Sequence, residues 1–173
     1  MEMVGFYSEM QPEPRGVFRE SIRDKVRTEA PYPKAEIRKY LEAGYPIFDI
    51  MEATRDVIGG SFTVAGGSSL LSDGRFVWRA DLPNYVDTYN LELPVEFLSF
   101  AAEHAFSVPA VSRETLLGIS VAAGRALGFR VDTGAAPGDG TRSDEFAAKA
   151  DRDAGDVASA RGSGRPATAS RAS

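Results

Sequence analysis

The sequence predicts an α+β fold, in which a small antiparallel sheet packs against several helices. Short segments rich in aromatic and β-branched residues occur at 3–7, 45–51 and 75–79, and each is typical of a strand. Amphipathic segments with helical spacing lie between and after them. Strands and helices do not alternate as strand–helix–strand repeats, which favours α+β over a parallel α/β sheet.

The first third of the chain contains one predicted strand and two predicted helices. Residues 3–7 form the strand, and Ser21 is placed to cap a short helix. Pro31 and Pro33 then interrupt the chain. A second helix begins at Lys34, and Gly44 follows it where a left-handed C-cap belongs. The apolar stripe of that helix consists of Ile37, Tyr40 and Leu41.

The middle third contains the remaining predicted strands. Residues 45–51 form the second strand, 52–56 a polar turn or a single helical turn, and 61–65 a short strand or hairpin arm between two Gly-Gly pairs. The turn Ser72-Asp73-Gly74 leads into a strand at 75–79. Alternation along that strand predicts a half-buried antiparallel strand, whose buried face carries Phe76 and Trp78.

Three helices are predicted after this strand. Asp81 is the expected N-cap of the first, Pro94 starts the second, and Ser112 caps the last, which runs to about residue 127. The stripe of the first of these helices consists of Leu82, Tyr85, Val86 and Tyr89.

The distribution of apolar residues divides the chain at about residue 130. The whole chain of 173 residues is 43% apolar, but Val131, Phe146 and Val157 are the only large apolar residues after residue 130. Such a segment buries too little apolar surface to offset the entropy of ordering its backbone. We therefore predict one α+β domain at 1–130 and a disordered, low-complexity tail at 131–173.

Charge and composition exclude several classes of function. The net charge of −5 argues against a nucleic-acid-binding surface, which needs a basic stripe. The sequence has neither a signal-peptide pattern nor an apolar run of about 18 residues, so no membrane segment is expected. With no cysteine, the chain fits a cytoplasmic protein without disulfides.

Neither catalytic nor cofactor-binding residues stand out in the sequence. His104 is the single histidine, and its place near a helix end favours a structural role over that of a general base. The Gly-rich run at 66–74 lacks the pattern of a nucleophile elbow or a phosphate loop, and it is predicted to be a loop. We predict no catalytic residue, no cofactor and no resident metal.

Four acidic residues are the candidates for contact with a partner: Asp49, Glu52, Asp56 and Asp73. The first three could in principle collect a divalent cation, but their spacing matches no calcium loop. Asp73 with Gly74 suits a hairpin turn. We therefore predict that these acidic residues form a partner-binding patch, with aromatic residues exposed near Asp73.

One long segment resembles a family. Its pattern is S-x-L-x-S-D-G-x-F-V-W-x-x-D-L-x-x-Y-V-x-x-Y-x-L-x-LP-x-EF, from Ser68 to Phe97. It resembles small, uncharacterised proteins of high-GC Gram-positive bacteria and, through related DG-x-W-x-W…Y…LP-x-F patterns, immunity-type proteins encoded beside polymorphic toxins. The resemblance covers residues 3–106 and consists of structural residues. It implies no catalytic residue, and it implies a protein that binds a toxin.

Three hypotheses about function remain open. The first is a non-enzymatic binding protein that neutralises a partner toxin, for which an acidic charge suits a basic nuclease toxin. The second is a cytosolic housekeeping or regulatory module with an unrelated partner. The third is a small carboxylate- and metal-dependent hydrolase that uses some of the four acids.

Overall fold

A computed structural model of the protein describes residues 1–11 and 16–129. The disordered tail predicted at 131–173 lies outside the described residues. The predicted domain limit at residue 130 falls where the described residues end, and it stays a prediction.

Helices and short strands are both present, which confirms the α+β fold. The helices are α1 (Lys34–Glu42), α2 (Leu82–Tyr89), α3 (Val95–Glu103) and α4 (Arg113–Ala126). The strands are β1 (Glu2–Val4), β2 (Tyr45–Phe48), β3 (Ala53–Arg55), β4 (Thr63–Ala65), β5 (Leu70–Ser72) and β6 (Phe76–Arg79). Two single turns of 3₁₀ helix span Ser8–Met10 and Ile22–Lys25. The predicted caps are confirmed at Ser21 and Ser112, whose hydroxyls accept N–H hydrogen bonds from Arg23 and Thr115.

The main sheet is mixed, with the strand order β1-β6-β5-β2, while β3 and β4 form a separate two-stranded sheet. β6 pairs antiparallel with β5, and β5 pairs antiparallel with β2. β1 runs parallel to β6, with Glu2 opposite Phe76. The small sheet predicted as antiparallel thus has two antiparallel pairs and one parallel pair. Parallel neighbours need a long crossover connection, and the chain between β1 and β6, which contains α1, provides it.

β6 is buried on both faces, whereas alternation along the sequence predicted a half-buried strand. Trp78 packs in the larger hydrophobic cluster with Leu41 of α1 and Phe97 of α3, as expected for the buried face. Val77 points the other way, into a second cluster that includes Ile119 of α4. Because α4 covers the second face of the sheet, that face is also part of the core.

Three predicted elements differ from the structure. Residues predicted as a polar turn at 52–56 include β3, and the run predicted as a loop before Asp73 contains β5. The first strand is β1, which ends before Gly5 rather than at residue 7. Gly5 has a positive φ of 77°, and a Cβ there would lie 2.7 Å from Leu82 Cδ1. Strands of three residues carry too little periodicity for the sequence to reveal them.

Two predicted helix caps are also corrected. α1 ends at Glu42 with Ala43 as its C-cap, and Gly44 is not in the left-handed region. Gly44 is needed for another reason, because a Cβ there would lie 2.5 Å from Trp78 Cζ2. Asp81 does precede α2, but its side chain makes no capping hydrogen bond. Its carboxylate instead accepts hydrogen bonds from Arg79 Nε at 2.9 Å and Thr54 Oγ1 at 2.9 Å.

Candidate docking surface

The connection between β2 and β3 exposes an apolar side chain between two carboxylates. Met51 is 99% exposed, more than any other exposed large hydrophobic side chain among the described residues. Asp49 and Glu52 are exposed on either side of it. We call these three residues, Asp49, Met51 and Glu52, the Met51 surface.

Hydrogen bonds from the segment before β5 hold this connection in place. Ser69 Oγ accepts the N–H of Ile50 at 2.9 Å and lies 3.2 Å from Asp49 Oδ1. Ser68 Oγ donates to Glu52 Oε1 at 2.7 Å, and Gly66 N–H donates to the Glu52 carbonyl at 2.7 Å. The backbone beneath Met51 is thus fixed before any partner arrives, which lowers the entropy cost of binding.

Asp56 lies inside the loop that joins β3 to β4 and is 5% exposed. Its carboxylate accepts the N–H groups of Ile58 at 2.8 Å, Gly59 at 3.3 Å and Ser61 at 2.9 Å, together with the hydroxyl of Tyr89. Burial raises the pKa of Asp56, but these hydrogen bonds lower it by more, so the pKa lies below its ordinary value. The carboxylate closes the loop and attaches it to α2.

Asp73 occupies the turn between β5 and β6 and is 1% exposed. It accepts the N–H groups of Arg75 at 2.9 Å and Phe76 at 2.7 Å, and the hydroxyl of Tyr40 at 2.8 Å. Burial, and then the hydrogen bond to Asp73, raise the pKa of the Tyr40 hydroxyl above its ordinary range. Asp73 therefore holds the turn and joins it to α1.

The four acidic candidates accordingly separate into two exposed and two buried residues. Partner contact at Asp56 and Asp73 does not fit the structure, because their carboxylates are buried and already accept three or more hydrogen bonds each. Asp49 and Glu52 remain accessible. Sequence reasoning missed Met51, since exposure of a methionine after an apolar strand depends on tertiary structure.

Buried polar side chains elsewhere in the described part of the chain also have structural roles. Within residues 1–11 and 16–129, each buried side-chain nitrogen or oxygen has a hydrogen-bond partner. The ion pair of Arg79 Nη2 with Asp81 Oδ2, at 2.6 Å, is a buried example.

His104 ends α3 and packs against its own helix. Its Nδ1 lies 2.8 Å from the Phe100 carbonyl oxygen, and its ring centroid is 4.4 Å from that of Phe100. Among the residues that the structure describes, no group of three or more His, Asp or Glu side chains is arranged to hold a metal ion. None of the described helices is long and apolar enough to cross a bilayer.

A cleft of about 760 Å³ runs beside β1, bordered by the start of α3 and the end of α4. Its lining mixes apolar residues, Met3, Leu93 and Val95 among them, with four charged side chains. Two of these, Lys25 and Glu20, form an ion pair at 3.3 Å. Glu92 is paired with Arg27, so three of the four charged side chains of the lining already have partners.

The sequence matches no protein-family model, no curated protein sequence and no solved structure.

Proposed function

We propose that this protein is a non-enzymatic binding protein that docks a protein partner through the Met51 surface. The observation that carries the proposal is the 99% exposure of Met51 between two exposed carboxylates. When a partner covers an apolar side chain that a fixed backbone holds in water, the burial of that side chain makes the free energy of binding more favourable. Methionine also adapts its shape to the surface that it meets.

The chemistry of the Met51 surface defines its partner. Asp49 and Glu52 favour a partner with lysine or arginine side chains, placed around a shallow apolar depression that receives the Met51 side chain. The net charge of −5 adds long-range attraction to a basic protein and accelerates encounter. The two carboxylates orient the partner and raise the rate of association, while Met51 supplies the apolar area that is buried in the complex.

A toxin is the partner that the family resemblance implies. We propose that the chain acts in the cytoplasm as an immunity-like protein, which covers the active or docking surface of a basic toxin. A housekeeping or regulatory role would use the same surface on an unrelated partner. Hydrolysis is the less favoured alternative, because Glu52 and Asp49 each lie within hydrogen-bond distance of a serine hydroxyl, at 2.7 and 3.2 Å, rather than in a shared metal site.

Capture from the native host with three forms of the full chain tests the proposal. The docking variant carries Asp49→Asn, Met51→Ser and Glu52→Gln. The control variant carries Val95→Ser, Glu96→Gln and Glu103→Gln, which remove one exposed apolar side chain and two exposed carboxylates from α3. Quantitative mass spectrometry should find a partner that wild type and the control variant retain and that the docking variant loses.

Growth of a heterologous host distinguishes the immunity role from a regulatory one. The captured partner is expressed alone and then with each form of the chain. For an immunity-like protein, the partner alone stops growth, wild type and the control variant restore it, and the docking variant does not. A partner that binds through the Met51 surface but leaves growth unchanged would support the regulatory alternative.

A further inference from the structure

The outward face of α4 carries small and apolar residues between an acidic and a basic residue. Toward the sheet the helix buries Ile119, Ala123 and Gly124, and Ser120 Oγ donates to the Ile47 carbonyl of β2 at 2.9 Å. The opposite side carries five exposed residues and the half-buried Val121. The five exposed residues are Glu114, Leu117, Gly118, Ala122 and Arg125.

These outward residues form a continuous stripe. At about 100° of rotation per residue, Glu114, Gly118, Val121 and Arg125 fall within an arc of about 60°. Leu117 is 58% exposed at one side of the stripe. A Cβ added at Gly118 would meet no atom of residues 1–11 and 16–129 within 4 Å, so among these residues the centre of the stripe is left open for a second backbone.

The charges at the two ends of the stripe are self-complementary. Glu114 lies in the first turn of α4 and Arg125 in the last. Along the helix, Glu114 and Arg125 are equally far from a point between residues 119 and 120. Residues 117 and 122 are also equally far from that point, as are residues 118 and 121. Two copies of α4 packed antiparallel about that point would place each Glu114 beside Arg125 of the other copy.

From this pattern we infer that the chain forms a two-fold symmetric dimer through α4. Gly118 of each copy then makes room for Val121 of the other, while Leu117 and Ala122, about 140° apart around the helix, lie on opposite flanks of the contact. The two reciprocal ion pairs set the antiparallel direction, because a parallel pair would bring like charges together. One helix pair buries less than the roughly 1,200 Å² of a standard stable interface, so the dimer forms at high protein concentration.

Sedimentation equilibrium of the full chain, from about 10 µM to 1 mM at low salt, tests the dimer. Wild type should show a monomer–dimer equilibrium. Glu114→Arg and Arg125→Glu should each raise the dissociation constant about tenfold or more, because each replaces two attractive pairs by two repulsive ones. Glu103→Arg on α3 changes the net charge as Glu114→Arg does and should leave dimerisation unchanged.

The double variant Glu114→Arg/Arg125→Glu separates pairing between copies from a change in the helix itself. It restores complementary charges across the interface while it keeps both unfavourable charges at the helix ends. The dissociation constant should therefore return to within a few-fold of wild type. A monomer throughout the range, or a double variant as weak as the worse single one, would overturn the proposal.

Discussion

Tyr40 donates its hydroxyl hydrogen to the carboxylate of Asp73 at 2.8 Å, in the core of the protein. This bond joins α1 to the turn between β5 and β6. The Tyr40 ring also packs edge-to-face against Phe97 of α3, with ring centroids 5.8 Å apart. The Tyr40 side chain therefore connects α1 and α3 with the turn between β5 and β6, and Asp73 of that turn is part of the core as well as of the hairpin.

Removal of the two partners of this bond should have unequal effects. Tyr40→Phe removes one hydrogen bond and leaves Asp73 with two backbone donors. The free energy of unfolding should therefore fall by about 1 kcal/mol. Asp73→Ala removes all three bonds and leaves the Tyr40 hydroxyl and a buried N–H unpaired, at a cost of about 3 kcal/mol or more. Urea unfolding measures both. Equal losses would show that Asp73 does not organise the turn.

Trp78 should be among the most costly residues to truncate. It is 0% exposed, and its Nε1–H donates to the Leu41 carbonyl at 3.0 Å. Trp78→Ala should destabilise the fold by about 3–5 kcal/mol, through lost burial and the cavity that remains. A thermal midpoint within a few degrees of wild type would contradict the packing described for β6.

Two glycines should respond in opposite directions to the same substitution. Gly44→Ala places a Cβ 2.5 Å from Trp78 Cζ2 and should destabilise the fold by about 1–3 kcal/mol. Gly118→Ala lies on an open helix face and should stabilise it by about 0.5–1 kcal/mol, because alanine favours helix. Chemical unfolding at low concentration measures both in the monomer. A stabilising Gly44→Ala would mean that α1 and β6 do not approach as closely as described.

Asp56 should make the free energy of unfolding depend on pH in the acid range. Its pKa is lower in the folded protein than its ordinary value of 3.8, so the unfolded chain binds the proton more readily. The stabilisation is complete above pH 3.8 and is lost as the pH falls through the folded pKa. Asp56→Asn should thus cost about 1–3 kcal/mol at pH 7 and progressively less below about pH 4. A cost that is independent of pH from 7 to 2.5 would contradict the assigned role.

Local signals in the sequence predicted much of the fold. The four helices were predicted from apolar stripes, prolines and capping serines, and the burial of Phe76 and Trp78 from their alternation. Strand direction and the three-residue strand β5 were not predictable, because pairing depends on residues far apart in the chain. For the same reason the sequence did not show that Asp56 and Asp73 are buried while Met51 is exposed: each outcome depends on which neighbours the fold brings to that side chain.

Calorimetric titration with the purified captured partner is the strongest test of whether Asp49, Met51 and Glu52 form the docking surface. Loss of a central apolar contact and two charges should weaken binding of the docking variant at least about tenfold, with the heat of unfolding unchanged. Binding of wild type should also weaken as salt rises, because the carboxylates face a basic partner. The control variant should bind as wild type does. Equal affinity of the partner for wild type and for the docking variant would show that the partner binds another part of the chain, and it would contradict docking at the Met51 surface.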